Sequence, residues 1–217
     1  MRNKLAFLII IIGLLIALFP IADRIYTWYW QNKALQSYEE LNVILAEEQS
    51  DNTESTNEIN DEEPQAQEQY QENSGEDAQE TAQYTIQPIG ILEIEKINVN
   101  LPILEGATQK NLKVGVGWIK ETTKLGEVGN TALAAHRSHT YGRLFNRLDE
   151  LEIDDEIIVI SDGTEYRYKV YQKLVVEPTD TSVLSRNNKD RIITLITCTP
   201  MKDPTHRLII KGKIKDK

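Results

Sequence analysis

The run RIITLITCTPMKDPTHRLIIKGKI, Arg191–Ile214, reads as two β-strands joined by a short turn. Residues 192–197 are all Ile, Leu or Thr, side chains that fit a pleated, half-buried chain. Thr199-Pro200 then interrupts the ladder, because proline has no N–H to donate. Arg207–Ile214 is a second apolar run, and the short Thr199–His206 connection predicts that the two strands pair side by side. Cys198, the only cysteine in the chain, falls at the end of the first strand, and Arg207 lies early in the second.

Upstream, further short runs bounded by turn residues read as strands: Gly90–Ile97, Val99–Ile103, Thr131–His136, Glu156–Ser161 and Glu165–Val176, the last two separated by Asp162-Gly163. One helix is expected over Tyr141–Leu151, where Tyr141, Leu144, Phe145, Leu148 and Leu151 recur at helical spacing. Many short strands with one or two helices predict a mainly β domain, a small barrel or a sandwich, over residues 84–217.

The residues before this domain differ in composition. Leu5–Ala22 is an uncharged apolar run whose 18 residues would make about 27 Å of helix, close to one hydrocarbon core. YTWYW, Tyr26–Trp30, follows as an aromatic belt, and Phe19-Pro20-Ile21-Ala22 is a poor cleavage site. Residues 1–33 therefore read as a retained signal-anchor transmembrane segment rather than a cleaved signal peptide. Arg2 and Lys4 place the N-terminus in the cytoplasm and the remaining chain outside the cell. Residues 34–83 read as a stalk, helical over 34–48 and a disordered spacer over 49–83. Fifteen acidic residues and no Lys or Arg lie between 39 and 80, so this segment carries more negative charge than the whole chain's net −10. The remaining residues are mildly basic, with no concentrated basic face for a nucleic-acid partner.

A lone cysteine in an extracellular domain is either an inert core thiol or a reactive one. A free thiol is only about 3% thiolate at neutral pH, so a nucleophile needs a partner group. Of the three histidines, His136 is the strongest candidate because it ends a strand-like run, GNTALAAH. His139 lies on the polar loop that follows and reads as a solvated neighbour; His206 adjoins Arg207. Arg207, a fixed fork of donors that stays cationic, could stabilise an oxyanion or hold substrate carbonyls; otherwise it is an exposed strand-end arginine. A zinc site from His136, His139, Cys198 and His206 is disfavoured by spacing and by the Arg207 cation. The acidic stretch Asp149–Glu156 lacks the alternating ligands and glycine of an EF-hand and reads as a solvated turn.

TLITC at Thr194–Cys198, with Arg207 at a matching interval, resembles the signature of the sortases, the cell-wall transpeptidases of Gram-positive bacteria. ALAAHRS around His136 resembles their histidine segment. The resemblance covers about residues 88–214 and implies an eight-stranded sortase-type β-barrel. It implies Cys198 as nucleophile, His136 as acid/base and Arg207 as stabiliser of substrate and oxyanion. Thr197 and Ala135 would help shape the substrate pocket, and the Val176–Asn188 connection would lie over the Leu-Pro end of the substrate. The implied partners are the membrane, surface proteins with a C-terminal Leu-Pro-X-Thr-Gly-like sorting signal and a peptidoglycan-precursor amine. No cofactor is implied. A second hydrophobic span and an Asp-Pro-aromatic lid motif, usual in pilus-building members, are not found in the sequence, which points to a class D-like or class A-like enzyme. A peptidase using water as acceptor and a non-catalytic cell-wall-binding domain are the other readings.

Overall fold

The computed structural model describes Ala22, residues 24–40 and residues 87–214. The strands are β1 (Pro88–Ile94), β2 (Val99–Glu105), β3 (Val116–Trp118), β4 (Gly129–Ala134), β5 (Glu156–Ser161), β6 (Thr164–Val176), β7 (Arg191–Thr199) and β8 (His206–Lys213). They close into a barrel in the order β1-β2-β3-β4-β7-β8-β6-β5. Closure leaves no edge strand, which removes the usual template for aggregation. Two pairings are parallel, β2 with β3 and β4 with β7; the others are antiparallel.

Local sequence explains the strands that were legible. Glu156–Ser161 alternates half-buried and buried, so one face meets the core. Asp162 and Gly163 both have positive φ and form the two-residue turn into β6, the geometry that matches strand twist. β7 is buried over Ile192–Leu195 because it has a neighbour strand on each side. The core gathers inward residues from all around the barrel, including Leu92, Ile103, Leu133, Ile157, Tyr168, Ile193 and Leu195.

Two elements escaped the sequence reading. β3 is only three residues long and has Gly117 at its centre; a Cβ there would lie 2.6 Å from Ala107 Cα, so only glycine allows the close approach. A one-and-a-half-turn helix spans Gln109–Val114, with the Thr108 hydroxyl accepting from Asn111 N–H at 3.2 Å. This helix is α2; α1 is the helix over residues 24–40, which includes residues 34–40 of the expected helical extension.

The helix expected over Tyr141–Leu151 does not form. Gly142 and Leu144 take positive φ, Arg137 bridges to Leu144, and only Leu148–Glu150 makes a 3-10 turn. Leu144, Phe145, Leu148 and Leu151 are nevertheless all buried. Tyr141, the first residue of the expected apolar face, is 72% exposed, and Phe145 N–H pairs with the His136 carbonyl instead of an intrahelical one.

No helix among the described residues is long and apolar enough to cross a membrane. The apolar run up to residue 21, residues 41–48 of the helical extension and the acidic spacer lie outside the described residues.

α1 packs on the barrel wall. Ala34 is fully buried against Leu104 of β2 and Val114 of α2, with Trp30 beside them. The Tyr38 hydroxyl donates to the Ile160 carbonyl at 3.3 Å, and the Arg143 guanidinium donates to the Thr27 hydroxyl.

Candidate active site

Cys198 and Arg207 lie on the neighbouring strands β7 and β8, and His136 two residues beyond the end of β4, which also borders β7. In the antiparallel β7–β8 ladder, Cys198 stands directly opposite Arg207. In the parallel β4–β7 ladder, Ala134 stands opposite Ile196. The pairing persists just beyond β4: Ala135 N–H donates to the Ile196 carbonyl at 3.2 Å, and the Thr197 hydroxyl donates to the Ala135 carbonyl at 2.9 Å. His136 and Cys198 are therefore the next residues along two chains tied together at the preceding position. All three groups are partly exposed, as a reagent-accessible site requires.

Thr197 and Ala135, expected to shape the substrate pocket, are 1% and 5% exposed. They act as the tie that aligns β4 with β7. His139 is exposed on its loop. His206 faces outward: its Nε2 lies 3.1 Å from Glu177 and its Nδ1 2.8 Å from the Thr205 hydroxyl. Among the described residues, no three His, Cys, Asp or Glu side chains gather as a metal-holding group. The carboxylates of Asp149–Glu156 meet cations of the chain itself; Lys96 takes Glu152 at 2.8 Å and Asp155 at 2.7 Å.

Burial and, secondarily, the Lys113 ammonium hold the His136 imidazole below its usual protonation range. Both effects act in one direction, since each disfavours a second positive charge. A cavity of about 520 Å³ adjoins the ring, walled by Tyr26 and Thr27 of α1, Lys113 of α2, His139 and Arg143. Cys198 and Arg207 are not part of its wall.

Arg137 is the residue that the sequence reading passed over. Its Nη1 donates to the Thr199 hydroxyl at 2.9 Å, and its Nη2 pairs with Asp149 at 2.7 Å. Its side chain is only 9% exposed, and Nε is buried with no hydrogen-bond partner. One guanidinium thus joins the residue after His136 to the residue after Cys198. An arginine on a polar loop looks solvated in sequence, and no local pattern points to Thr199, 62 positions away. Asn146 supports the same loop: Nδ2 donates to the Ser138 carbonyl at 2.6 Å, and Oδ1 accepts from Gly142 N–H at 3.2 Å.

Asn130 anchors the long connection between β6 and β7. Fully buried on β4, it donates to the Val183 and Ser185 carbonyls at 3.0 and 3.1 Å and accepts from the Thr194 hydroxyl at 2.6 Å. Every polar atom of its amide group has a partner, the condition under which a buried polar residue specifies geometry.

The domain is similar to known proteins in sequence and fold. Residues 92–215 match the Sortase domain family. Sortase A of Bacillus anthracis is 36% identical over 128 residues, 59% of this chain and 60% of its own length. Sortase D of Bacillus subtilis is 35% identical over 132 residues, 59% of this chain and 65% of its own. The match therefore spans about three-fifths of the length of these relatives. Among solved structures, a Clostridium perfringens sortase D5 transpeptidase aligns with TM-score 0.55 and 32% identity, covering 60% of this chain and 80% of that one. Sortase C1 of group B Streptococcus pilus island 1 aligns with TM-score 0.56 and 32% identity, covering 60% and 66%. The matched region contains β2 to β8 and all three candidate groups, and on that basis the chain belongs to the sortase family.

Proposed function

We propose that this protein is a membrane-anchored cysteine transpeptidase. It cleaves a Leu-Pro-X-Thr-Gly-like sorting signal between Thr and Gly and passes the acyl group to a peptidoglycan-precursor amine. The carrying observation is the Cys198–Arg207 register, with His136 tied alongside through the Thr197–Ala135 hydrogen bond.

Cys198 gives its thiol proton to His136, its sulfur attacks the threonine carbonyl carbon, and the Arg207 guanidinium steadies the oxyanion that develops. Collapse of the tetrahedral intermediate breaks the C–N bond, with the His136 imidazolium giving its proton to the departing glycine amine. The thioester then meets the acceptor amine. Neutral His136 takes the proton that this amine loses, and a peptide bond forms as the thiolate leaves. The lowered basicity makes the imidazolium a readier proton donor to the departing amine. The apolar run Leu5–Ala22 anchors the chain, with the barrel outside the cell. The loop from Glu177 to Asp190, braced on Asn130, lies over the Leu-Pro end of the signal.

The test is turnover of a sorting-signal peptide, followed by mass spectrometry with and without an added amine. Cys198→Ala should abolish both the thioester adduct and peptide cleavage while the barrel still melts cooperatively. His136→Ala and Arg207→Ala should each lower kcat/KM by about 10²–10³-fold. Undiminished cleavage by Cys198→Ala would end the proposal. A product distribution unchanged by amine would make the protein a peptidase instead.

A further inference from the structure

α1 has two unlike faces. Thr27, Ala34 and Tyr38 are buried against the barrel. Around the rest of its first two turns, Ile25, Tyr26, Trp28 and Tyr29 are 59%, 60%, 62% and 54% exposed, with Tyr26 on the flank toward the His136 cavity and Trp28 on the flank toward Val99 and Tyr141. Beyond them, the exposed positions are polar: Lys33, Gln36, Glu39 and Glu40. An exposed aromatic cluster of this kind is unfavourable in water and is the composition found at membrane headgroup level. Their exposures leave most of this cluster uncovered by the described residues.

Position along the helix says what covers it. The apolar run Leu5–Ala22 ends at the first described helical residue. At about 1.5 Å per residue, Ile25 to Tyr29 lie roughly 5–10 Å beyond Ala22, and the headgroup zone is itself about 5–8 Å deep. The helix's buried contacts with the barrel, Thr27 to Tyr38, end no more than about 24 Å from Ala22, whatever the tilt of the helix. A chain of the length of residues 41–86, if wholly flexible, would by itself let the barrel stand about 40 Å away. The docked helix overrides that freedom. The same Tyr26 and Thr27 that begin the helix also wall the cavity beside His136.

We infer that α1 is an interfacial helix: it lays Ile25, Tyr26, Trp28 and Tyr29 in the phospholipid headgroup layer and clamps the barrel to the bilayer surface, with the His136 cavity opening at headgroup depth. This rests on the membrane anchor proposed above. A lipid-linked amine would then reach the imidazole without leaving its leaflet. The acidic segment, on this arrangement, does not set the height of the barrel.

Because Cys198 is the only cysteine, one thiol-reactive fluorescent donor marks the site without further substitution. The full chain is placed in phosphatidylcholine–phosphatidylglycerol nanodiscs carrying acceptor-labelled headgroups, and the donor lifetime is read. A clamped barrel should shorten the lifetime at least about twofold, as expected within roughly 25–35 Å rather than the longer tether distance. Ala34→Glu buries a charge at the α1 contact and should return most of the lifetime. A second variant, Trp28→Ser with Tyr29→Ser, leaves the barrel contact intact and should lengthen the lifetime while preserving the melt. A wild-type lifetime equal to that of Ala34→Glu, or a chain that never enters the disc, overturns the inference. Cleavage of soluble peptide by unlabelled protein reports separately on the transpeptidase reading and is expected to survive Ala34→Glu.

Discussion

Arg137 shows how one side chain can align two strands that are distant in sequence. Its planar fork reaches Thr199 and Asp149 at once, a geometry that a lysine ammonium cannot reproduce from a single point. Arg137→Lys is therefore expected to keep the fold and lower kcat by about 10–100-fold, the scale of a displacement near 1 Å at a reacting group. Peptide turnover beside a thermal melt checks this; a normal kcat in the variant would remove the positioning role. The neighbouring imidazole makes a second residue-scale prediction. His136 takes up its proton below the ordinary 6.5, held down by burial first and Lys113 second. Lys113→Gln should move that midpoint upward in a proton NMR titration, carrying the acidic limb of the pH–rate profile with it. The stability consequence has a definite sign. Between the two protonation ranges the unfolded chain binds more protons than the folded one, so stability rises with pH and is lost as pH falls below about 6.5.

The elements that matter for the site are the strand ends and the connections that brace them. Asn130 presents two donors to carbonyls of the β6–β7 connection and an acceptor to Thr194. Asn130→Asp would set a carboxylate oxygen against the Val183 and Ser185 carbonyls in a buried site. An expected loss of about 2–4 kcal/mol follows from unpaired carbonyls and a buried charge. Denaturant unfolding reads the loss, and a raised KM for the sorting-signal peptide reads the loosened connection. The segment Tyr141–Leu151 teaches a different lesson at this scale. Its apolar spacing is helical, yet the chain forms turns, because the loop's backbone groups pair with His136 and Asn146. Periodicity placed four of the five apolar side chains inward, Tyr141 being exposed, and left open where the backbone hydrogen bonds go.

At the scale of the molecule, the barrel core and the α1 contact are separate clusters. Ala34, Leu104, Val114 and Trp30 can part without opening the barrel, whose interior is filled by its own strands. This separation is why Ala34→Glu tests the membrane placement and spares the domain: its melt should stay near that of the unchanged chain while the nanodisc signal moves. Barrel closure, by contrast, is collective. Leu148 and Phe145, fully buried beneath the His136 loop, join the loop to that same interior.

The sequence by itself determined the features whose partners lie close along the chain. Asp162-Gly163 folds β5 onto β6, and a short connection sets Cys198 opposite Arg207. Composition alone separated an apolar run and an acidic segment from a β-rich domain. Tertiary structure decided the rest. Parallel pairing of β4 with β7 brings His136 alongside Cys198 across some sixty residues, and Arg137 finds Thr199 only after that pairing. The docking of α1 likewise depends on Leu104 and Val114, which no neighbour in sequence announces. Contacts of this kind carry no local periodicity, because their geometry exists only once the sheet has closed.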